Sequence, residues 1–298
     1  MQSKINRLGL VVHPRRSIDA PLRAIRDWAS QHGVDVGQIA IPGQPRRIAE
    51  TVEVSSCDLL LAVGGDGTTL AALHAAAPAS RPVLGVACGS IGLLTAVNAD
   101  SVSSGLDQVA AGNWTPRALP GLEIATAQSD ARVAINDFAV IRSGIGQVIT
   151  AVTVDGELYV RTAGDGVVIA TPLGSSAYTM AAGGPILAPP ALSMVVTPLA
   201  PHGGVAPPLV VGPDSRVGLA VEPGYGGSRF ELDGQEVATA AADITVSLRR
   251  DYATLVTLAD EEPPLTALRR RGLVVDGPRI LARDSRAASS GASGQSTP

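Results

Sequence analysis

Residues Leu59 to Thr69 read LLLAVGGDGTT: an apolar run that stops at two glycines, sets one carboxylate between glycines, and restarts as a helix. The run Leu59 to Val63, bounded by turn residues, predicts a buried strand. Thr68 to Ala77, rich in alanine and leucine and closed by Pro78, predicts a helix. Gly64 to Gly67 is therefore a strand-to-helix turn. Such a turn aims backbone N–H groups and the positive end of a helix dipole into one small space, which suits phosphate oxygens, and glycine lets the backbone approach them closely. Asp66 is the odd member. A carboxylate beside phosphate is repelled unless it holds a metal ion or accepts a proton from a hydroxyl attacking phosphorus. Taken alone, Asp-Gly is also an ordinary turn dipeptide and Thr68 an ordinary helix N-cap.

Composition narrows what this turn can serve. A chain of 298 residues lies above the usual single-core size and predicts two domains. With 45% hydrophobic and 17% charged residues it can bury an ample core, and a net charge of -4 without a long basic run argues against a nucleic-acid groove. No apolar stretch reaches the ~18 residues of a membrane span, and MQSKINRLGLVV leads into a strand rather than a signal peptide. Cys57 and Cys88 are too few for a disulfide scaffold. These features predict a cytoplasmic protein with small-molecule partners. His13, His32, His74 and His202 lack zinc-ligand spacing and read as structural; no metal site of protein ligands is expected.

Lys4 is the chain's one lysine, and it heads the first strand. A Walker-A loop needs a lysine on the phosphates and a protein kinase needs one on its third strand, so both designs are excluded. Any nucleotide here must have its phosphates neutralised by backbone amides, a divalent ion and arginine.

Along the chain, Leu8 to Val12, Val36 to Ile41, Leu59 to Val63 and Pro82 to Ala87 read as strands. Helices are expected over Ile18 to Gln31, Pro45 to about Val54, Thr68 to Ala77 and Val102 to Ala111. Strands alternating with helices imply a parallel sheet covered on both faces, with ligands at the carboxyl ends of its strands. The Gly64 turn lies at such an end, as does CGSIGLLT, Cys88 to Thr95. A dinucleotide fingerprint fits poorly, because Leu70 stands where the third glycine belongs.

After Trp114-Thr115-Pro116 the texture changes to short alternating or β-branched runs, with Asp155-Gly156 and Asp233-Gly234 as hairpin turns. Numerous prolines between 172 and 223 exclude long helices there. The expected organisation is an α/β nucleotide-binding domain over 1–115 with a return at about 259–284, a mainly antiparallel domain over 116–258, and a disordered tail at 285–298. Within the second part, AGDGVVIATPLGSSAYTMAAGGPIL (Ala163 to Leu187) carries Asp165 before a strand and a Gly-Ser-Ser turn before a short helical run. Ser175-Ser176 is a second place where amides and hydroxyls could meet an anion, although Ser176 also serves as an ordinary cap. Asn136-Asp137 interrupt an otherwise apolar strand, Val133 to Ile141, so at least one of them faces inward and needs a partner.

Together, GGDGT after a strand, Asn136-Asp137, the Ala163 to Leu187 motif and Asp233-Gly234-Gln235 resemble the NAD kinase family, in that family's order, over about Leu59 to Leu258. The resemblance implies a Rossmann-like α/β domain, a C-terminal β-sandwich domain and a homodimer or homotetramer. It implies transfer of phosphate from ATP, assisted by Mg²⁺, to the 2'-hydroxyl on the adenosine ribose of NAD. Carried onto this chain, Asp66 is the base for that hydroxyl, and Gly64, Gly65, Gly67 and Thr68 line the phosphates. Asn136 and Asp137 bind the adenosine portion, Asp165 the other end, and Ser176, Ala177, Tyr178 and Gln235 the surrounding pocket. Arg161 is a candidate for substrate phosphate. The chain departs from the pattern at Ser90, Leu93, Asp137, Gln147, Leu173, Ser176 and Ala206. Several of these remove charged contacts, the kind that contribute most. A kinase of the same fold acting on another nucleoside, nucleotide or lipid hydroxyl, and a silent NAD(P)-binding regulator, are the alternatives.

Overall fold

The computed structural model describes residues 4–89, 92–127, 129–238 and 242–292. Ser90 therefore lies outside the described residues. The first part of the chain forms β1 (Arg7–Val12), α1 (Asp19–His32), β2 (Asp35–Gln38), β3 (Leu59–Gly64), α2 (Asp66–Ala76), β4 (Pro82–Ala87), β5 (Val97–Asn98) and α3 (Val102–Ala110). The run Leu59 to Val63 is apolar throughout because β3 is covered on both faces. Leu59, Leu61 and Val63 pack with Ile25 and Trp28 of α1 and Leu106 of α3. Leu60 and Ala62 face the other way, onto Ala72 and Leu73 of α2. Parallel pairing of β2, β1, β3 and β4 sets every carboxyl end on one edge.

The expected helix over Pro45 to Val54 does not form. The Gln38 side chain receives the Ile48 amide at 2.7 Å and donates to the Arg46 carbonyl at 2.7 Å. The Gln38 and Val52 amides bond across to the Glu50 and Gln38 carbonyls, so the segment lies extended beside β2. Helical propensity yields to an available sheet edge.

The β part comprises β6 (Trp114–Thr126), β7 (Ser129–Ala134), β8 (Asp137–Arg142), β9 (Val148–Val154), β10 (Glu157–Gly164), β11 (Gly166–Ala170), α4 (Tyr178–Ala181), β12 (Met194–Leu199), β13 (Leu209–Val211), β14 (Arg216–Glu222), β15 (Ser228–Leu232), β16 (Gln235–Val237) and β17 (Asp243–Leu258). One sheet runs β10-β9-β14-β17-β4-β3-β1-β2, with β6 beside β17 and β7 beside β6. A second runs β13-β12-β11-β8-β15-β16. Their inner faces share one core: Phe138, Val140, Val167 and Ile169 from the second meet Val152, Val217, Leu219 and Val246 from the first. This is a β-sandwich joined to an α/β layer, because β17 continues past a bulge near Arg249 to pair in parallel with β4. Both predicted hairpins form, with positive φ at Asp155 (52°) and Gly156 (86°) and at Asp233 (51°) and Gly234 (72°), as a type I′ turn requires.

Asn136 and Asp137 are not neighbours within one strand, as the apolar run suggested. β7 belongs to the first sheet and β8 to the second, and the chain changes sheets at Ile135-Asn136. The polar pair marks a crossover.

The described residues from Asp260 onward form a separate compact unit. It contains α5 (Pro264–Arg270) and α6 (Pro278–Ala292). α6 begins at proline, a favoured first helical residue, and its arginine- and alanine-rich run carries it into the stretch expected to be a disordered tail. Residues 293–298 lie outside the described ones.

Candidate active site

The glycine turn is built as the sequence requires. Gly65 is the extended N-cap of α2 (φ -153°), and its carbonyl accepts the Thr68 and Thr69 amides at 2.9 and 3.0 Å. α2 therefore starts at Asp66, ahead of the expected Thr68. A Cβ on Gly64 would overlap the Thr68 hydroxyl, so the close strand-to-helix turn admits glycine alone. Amides of the first turn have no acceptor inside the helix. They open on a cavity of about 250 Å³ lined by His13, Pro14, Arg16, Gln44, Gly65, Asp66, Gly67 and Thr68.

The second glycine loop holds Asp66. Leu93 N–H donates to Oδ2 at 3.1 Å and Leu94 N–H to Oδ1 at 3.0 Å. Gly92 packs so closely that a Cβ there would overlap the carboxylate. Gly85 of β4 supports this loop, since a Cβ on it would overlap the Leu94 carbonyl. A half-buried carboxylate is thus fixed by two amides at the mouth of a phosphate-sized cavity.

Arg16 is the residue that sequence reasoning missed. Its Nη1 lies 3.8 Å from where a Cβ on Gly65 would sit and 4.0 Å from one on Gly89, so the guanidinium spans both glycine turns. Its loop is pinned in several ways: His13 Nδ1 accepts the Arg15 and Arg16 amides at 3.1 and 3.0 Å, and Arg46 Nη1 donates to the His13 and Arg16 carbonyls at 3.0 and 2.6 Å. Partial burial and the charges of Arg16, Arg15 and Arg46 lower the pKa of His13. The signal in the sequence was His13-Pro14-Arg15-Arg16 at the carboxyl end of β1, the same edge as the Gly64 turn.

A second cluster gathers at the crossover. Gly174 packs against Asn136, where a Cβ would overlap its backbone, and Thr171 donates its amide to the Asn136 carbonyl (2.9 Å) and its hydroxyl to the Ile135 carbonyl (2.6 Å). This brings Asn136 and Asp137 beside the turn carrying Ser176, Ala177 and Tyr178. Asp137 is 6% exposed, and among the described residues its carboxylate accepts no hydrogen bond. Burial, reinforced by the charges of Asp233 and Glu231, raises its pKa to about 7. Burial and the charge of Glu231 raise the Tyr178 pKa, with Asp165 and Asp137 adding to it, which ties these groups to one neighbourhood. Gln235 follows in the hairpin whose Asp233 accepts the Ile135, Asn136 and Asp137 amides at 3.0, 2.6 and 3.2 Å.

Other expectations resolve differently. Ser175 Oγ donates to the Pro172 carbonyl and accepts the Leu187 amide, and Ser176 Oγ donates to the Leu173 carbonyl, so these hydroxyls brace the turn rather than wait for an anion. α4 is only four residues long. The guanidinium that meets Asp165 belongs to Arg142. Arg161 lies on the edge strand β10 and pairs with Glu222 at 3.3 Å; the structure brings it to neither cluster. Gln147, one of the departures from the family pattern, contacts His202. Among the described residues no three His, Cys, Asp or Glu side chains converge as a metal cage, and no helix is long and apolar enough to cross a membrane.

A parallel α/β sheet bearing two glycine turns and a fixed carboxylate, continued into a β-sandwich, defines a nucleotide-binding protein of the phosphotransferase class. The sequence matches the ATP-NAD kinase N-terminal domain over residues 8–114 and the ATP-NAD kinase C-terminal domain over residues 135–258. It is 30% identical over 265 residues to the NAD kinase of Chlorobium phaeobacteroides, covering 86% of this chain and 92% of that one. It is 35% identical over 195 residues to that of Carboxydothermus hydrogenoformans, covering 63% and 70%. Two solved structures share the fold: yeast NADH kinase complexed with NADH (TM-score 0.74, 22% identity, 90% of this chain and 87% of that chain) and an NAD kinase from Archaeoglobus fulgidus in complex with ATP (TM-score 0.72, 23% identity, 90% and 100%). The chain belongs to the NAD kinase family.

Proposed function

We propose that this protein transfers the γ-phosphate of ATP to the 2'-hydroxyl on the adenosine ribose of NAD, giving NADP. The observation that carries the reading is Asp66: a carboxylate fixed by the Leu93 and Leu94 amides at the mouth of the cavity, beside the first turn of α2. A base so placed takes the hydroxyl proton as its oxygen attacks phosphorus and the bond to the bridging oxygen of ADP breaks. Such a base contributes ~100- to 10,000-fold. The α2 amides and Arg16 take up the charge on the transferring phosphoryl group.

The acceptor fits the second cluster. The Asp137 carboxyl group, largely buried and accepting no hydrogen bond among the described residues, is open to one from a ligand. The hydroxyls of a nucleoside sugar are such donors, and in this reading Asn136, Tyr178 and Gln235 complete the acceptor's pocket. Magnesium would enter with the donor nucleotide, held chiefly by phosphate oxygens, in keeping with the ion's preference for few protein ligands. Bound there it would spread negative charge on the phosphates. A cytoplasmic homo-oligomer completes the reading.

The test is direct. Purified protein with ATP, Mg²⁺ and NAD is expected to form NADP, and Asp66→Asn to lose this while remaining folded. ADP release with another hydroxyl acceptor but not NAD would replace the substrate assignment. Binding of NAD with no turnover of any acceptor would refute the enzyme reading.

A further inference from the structure

The two clusters are joined by a part-buried histidine–carboxylate contact that neither role has used. His74 lies two turns along α2 from Asp66, ~12 Å down the same helix axis. Its Nε2 is 2.6 Å from Asp233 Oδ2, and its Nδ1 is 3.2 Å from the Tyr252 hydroxyl of β17. The Asp233 side chain is 6% exposed, and besides His74 it accepts three consecutive amides, those of Ile135, Asn136 and Asp137. Those amides belong to the crossover that presents Asn136 and Asp137. A single carboxylate therefore fixes the acceptor's crossover, and a single imidazole fixes that carboxylate to the helix whose first turn holds the donor's phosphates.

We infer that His74 and Asp233 are positioning residues that set the separation between Asp66 and the dinucleotide, resting on the NAD kinase reading given above. A simple structural pair would need fewer contacts. Packing alone already seats this region: Ile135 and Leu173 share a core with Leu73 of α2. What packing cannot do is orient consecutive N–H groups, which takes an acceptor with several lone pairs. Nor can it orient that acceptor, which takes a directional donor. An imidazole that donates through Nε2 to Asp233 and meets the Tyr252 hydroxyl at Nδ1 is held at both ring nitrogens, and so is directional where packing is not. In-line transfer tolerates little error, since a displacement of ~1 Å costs roughly 100-fold in rate.

The experiment compares wild type, His74→Gln, His74→Leu and Asp233→Asn. Glutamine retains a donor near the Nε2 position and leucine does not. Turnover and both KM values would be measured beside melting temperatures and calorimetric NAD binding with and without ADP. The expected result is a 10- to 100-fold loss of kcat in His74→Leu, with KM for ATP within threefold of wild type and turnover largely restored in His74→Gln. ADP and NAD binding should be coupled in wild type and uncoupled in His74→Leu. The inference is overturned if His74→Leu turns over like wild type, or if both His74 variants lose activity only in proportion to a lowered melting temperature. Should wild type itself fail to phosphorylate NAD, the function falls, and the ADP–NAD coupling in wild type and His74→Leu still decides the positioning role.

Discussion

Substituting Gly92 by alanine tests the role of Asp66 without touching it. A Cβ at Gly92 would overlap both carboxylate oxygens of Asp66, so either the side chain or the loop must move. With that Cβ 1.9 Å from Oδ1, relieving the overlap requires a displacement of roughly 1 Å or more, which the close packing of such a site does not absorb for nothing. The bonds from Leu93 N–H at 3.1 Å and Leu94 N–H at 3.0 Å cannot both survive that shift. Gly92 does not occupy the left-handed region, so alanine brings no backbone strain and the effect is steric. A base displaced by about 1 Å loses roughly 100-fold in turnover, equivalent to ~2.7 kcal/mol of barrier. The assay is the initial rate of NADP formation at saturating ATP and NAD, with circular dichroism and melting temperature as controls for folding. Gly212→Ala, where an added methyl meets open space, controls for handling and should behave as wild type. A Gly92→Ala protein with kcat within threefold of wild type would mean that the position of the Asp66 carboxylate does not matter, and the base assignment would fail.

Four further outcomes follow from the same geometry. Asp66→Asn should lower kcat ~100- to 10,000-fold with little change in melting temperature. Arg16→Ala should raise KM for ATP about tenfold, measured at fixed NAD, because a lost charged phosphate contact is worth ~1.5 kcal/mol or more. Arg161→Ala should leave both KM values within twofold, since its partner is the exposed Glu222 of β14, across β9 from it. Asp137 is the pH-sensitive group: its folded pKa of about 7 lies above the unfolded value of 3.8, so the folded state binds the extra proton between them. Stability should therefore fall as pH rises from about 4 to 7 and level off above, and Asp137→Asn should flatten that slope in denaturant titrations.

The fold was legible where one residue pattern had one physical solution. The apolar run Leu59 to Val63 could only be a strand buried on both faces, and Gly64 to Gly67 could only be a tight turn, because the space over Gly64 belongs to Thr68. Asp155-Gly156 and Asp233-Gly234 announced their hairpins through the positive φ they share. Legibility failed where partners came from far along the chain. Nothing local to Pro45–Val54 reveals that the Gln38 side chain will hold it extended. Nothing near Asn136 reveals that the chain leaves one sheet for the other, since β7 and β8 read as one apolar run. Arg16 was hidden for a similar reason: its importance comes from two glycine turns far along the chain. His74, read as a structural histidine from its isolation in sequence, meets Asp233 across more than half the chain.

The two carboxylates proposed to meet the substrate differ in a way that fits their separate tasks. Asp66 accepts two amide hydrogen bonds and opens on a cavity lined by Arg16 and the first turn of α2. Asp137 is buried, accepts no hydrogen bond among the described residues, and sits near Asp233 and Glu231, which disfavours its charge. A carboxyl group poised near neutrality can donate to, or accept from, a sugar hydroxyl, whereas a base must accept. Exchanging the environments would disable both. A glutamate at position 137 would reach one methylene further, so Asp137→Glu should change KM for NAD while sparing KM for ATP. An equal change in both would show that the crossover and the glycine turn do not serve different substrates, and the division of labour argued for this family member would not hold.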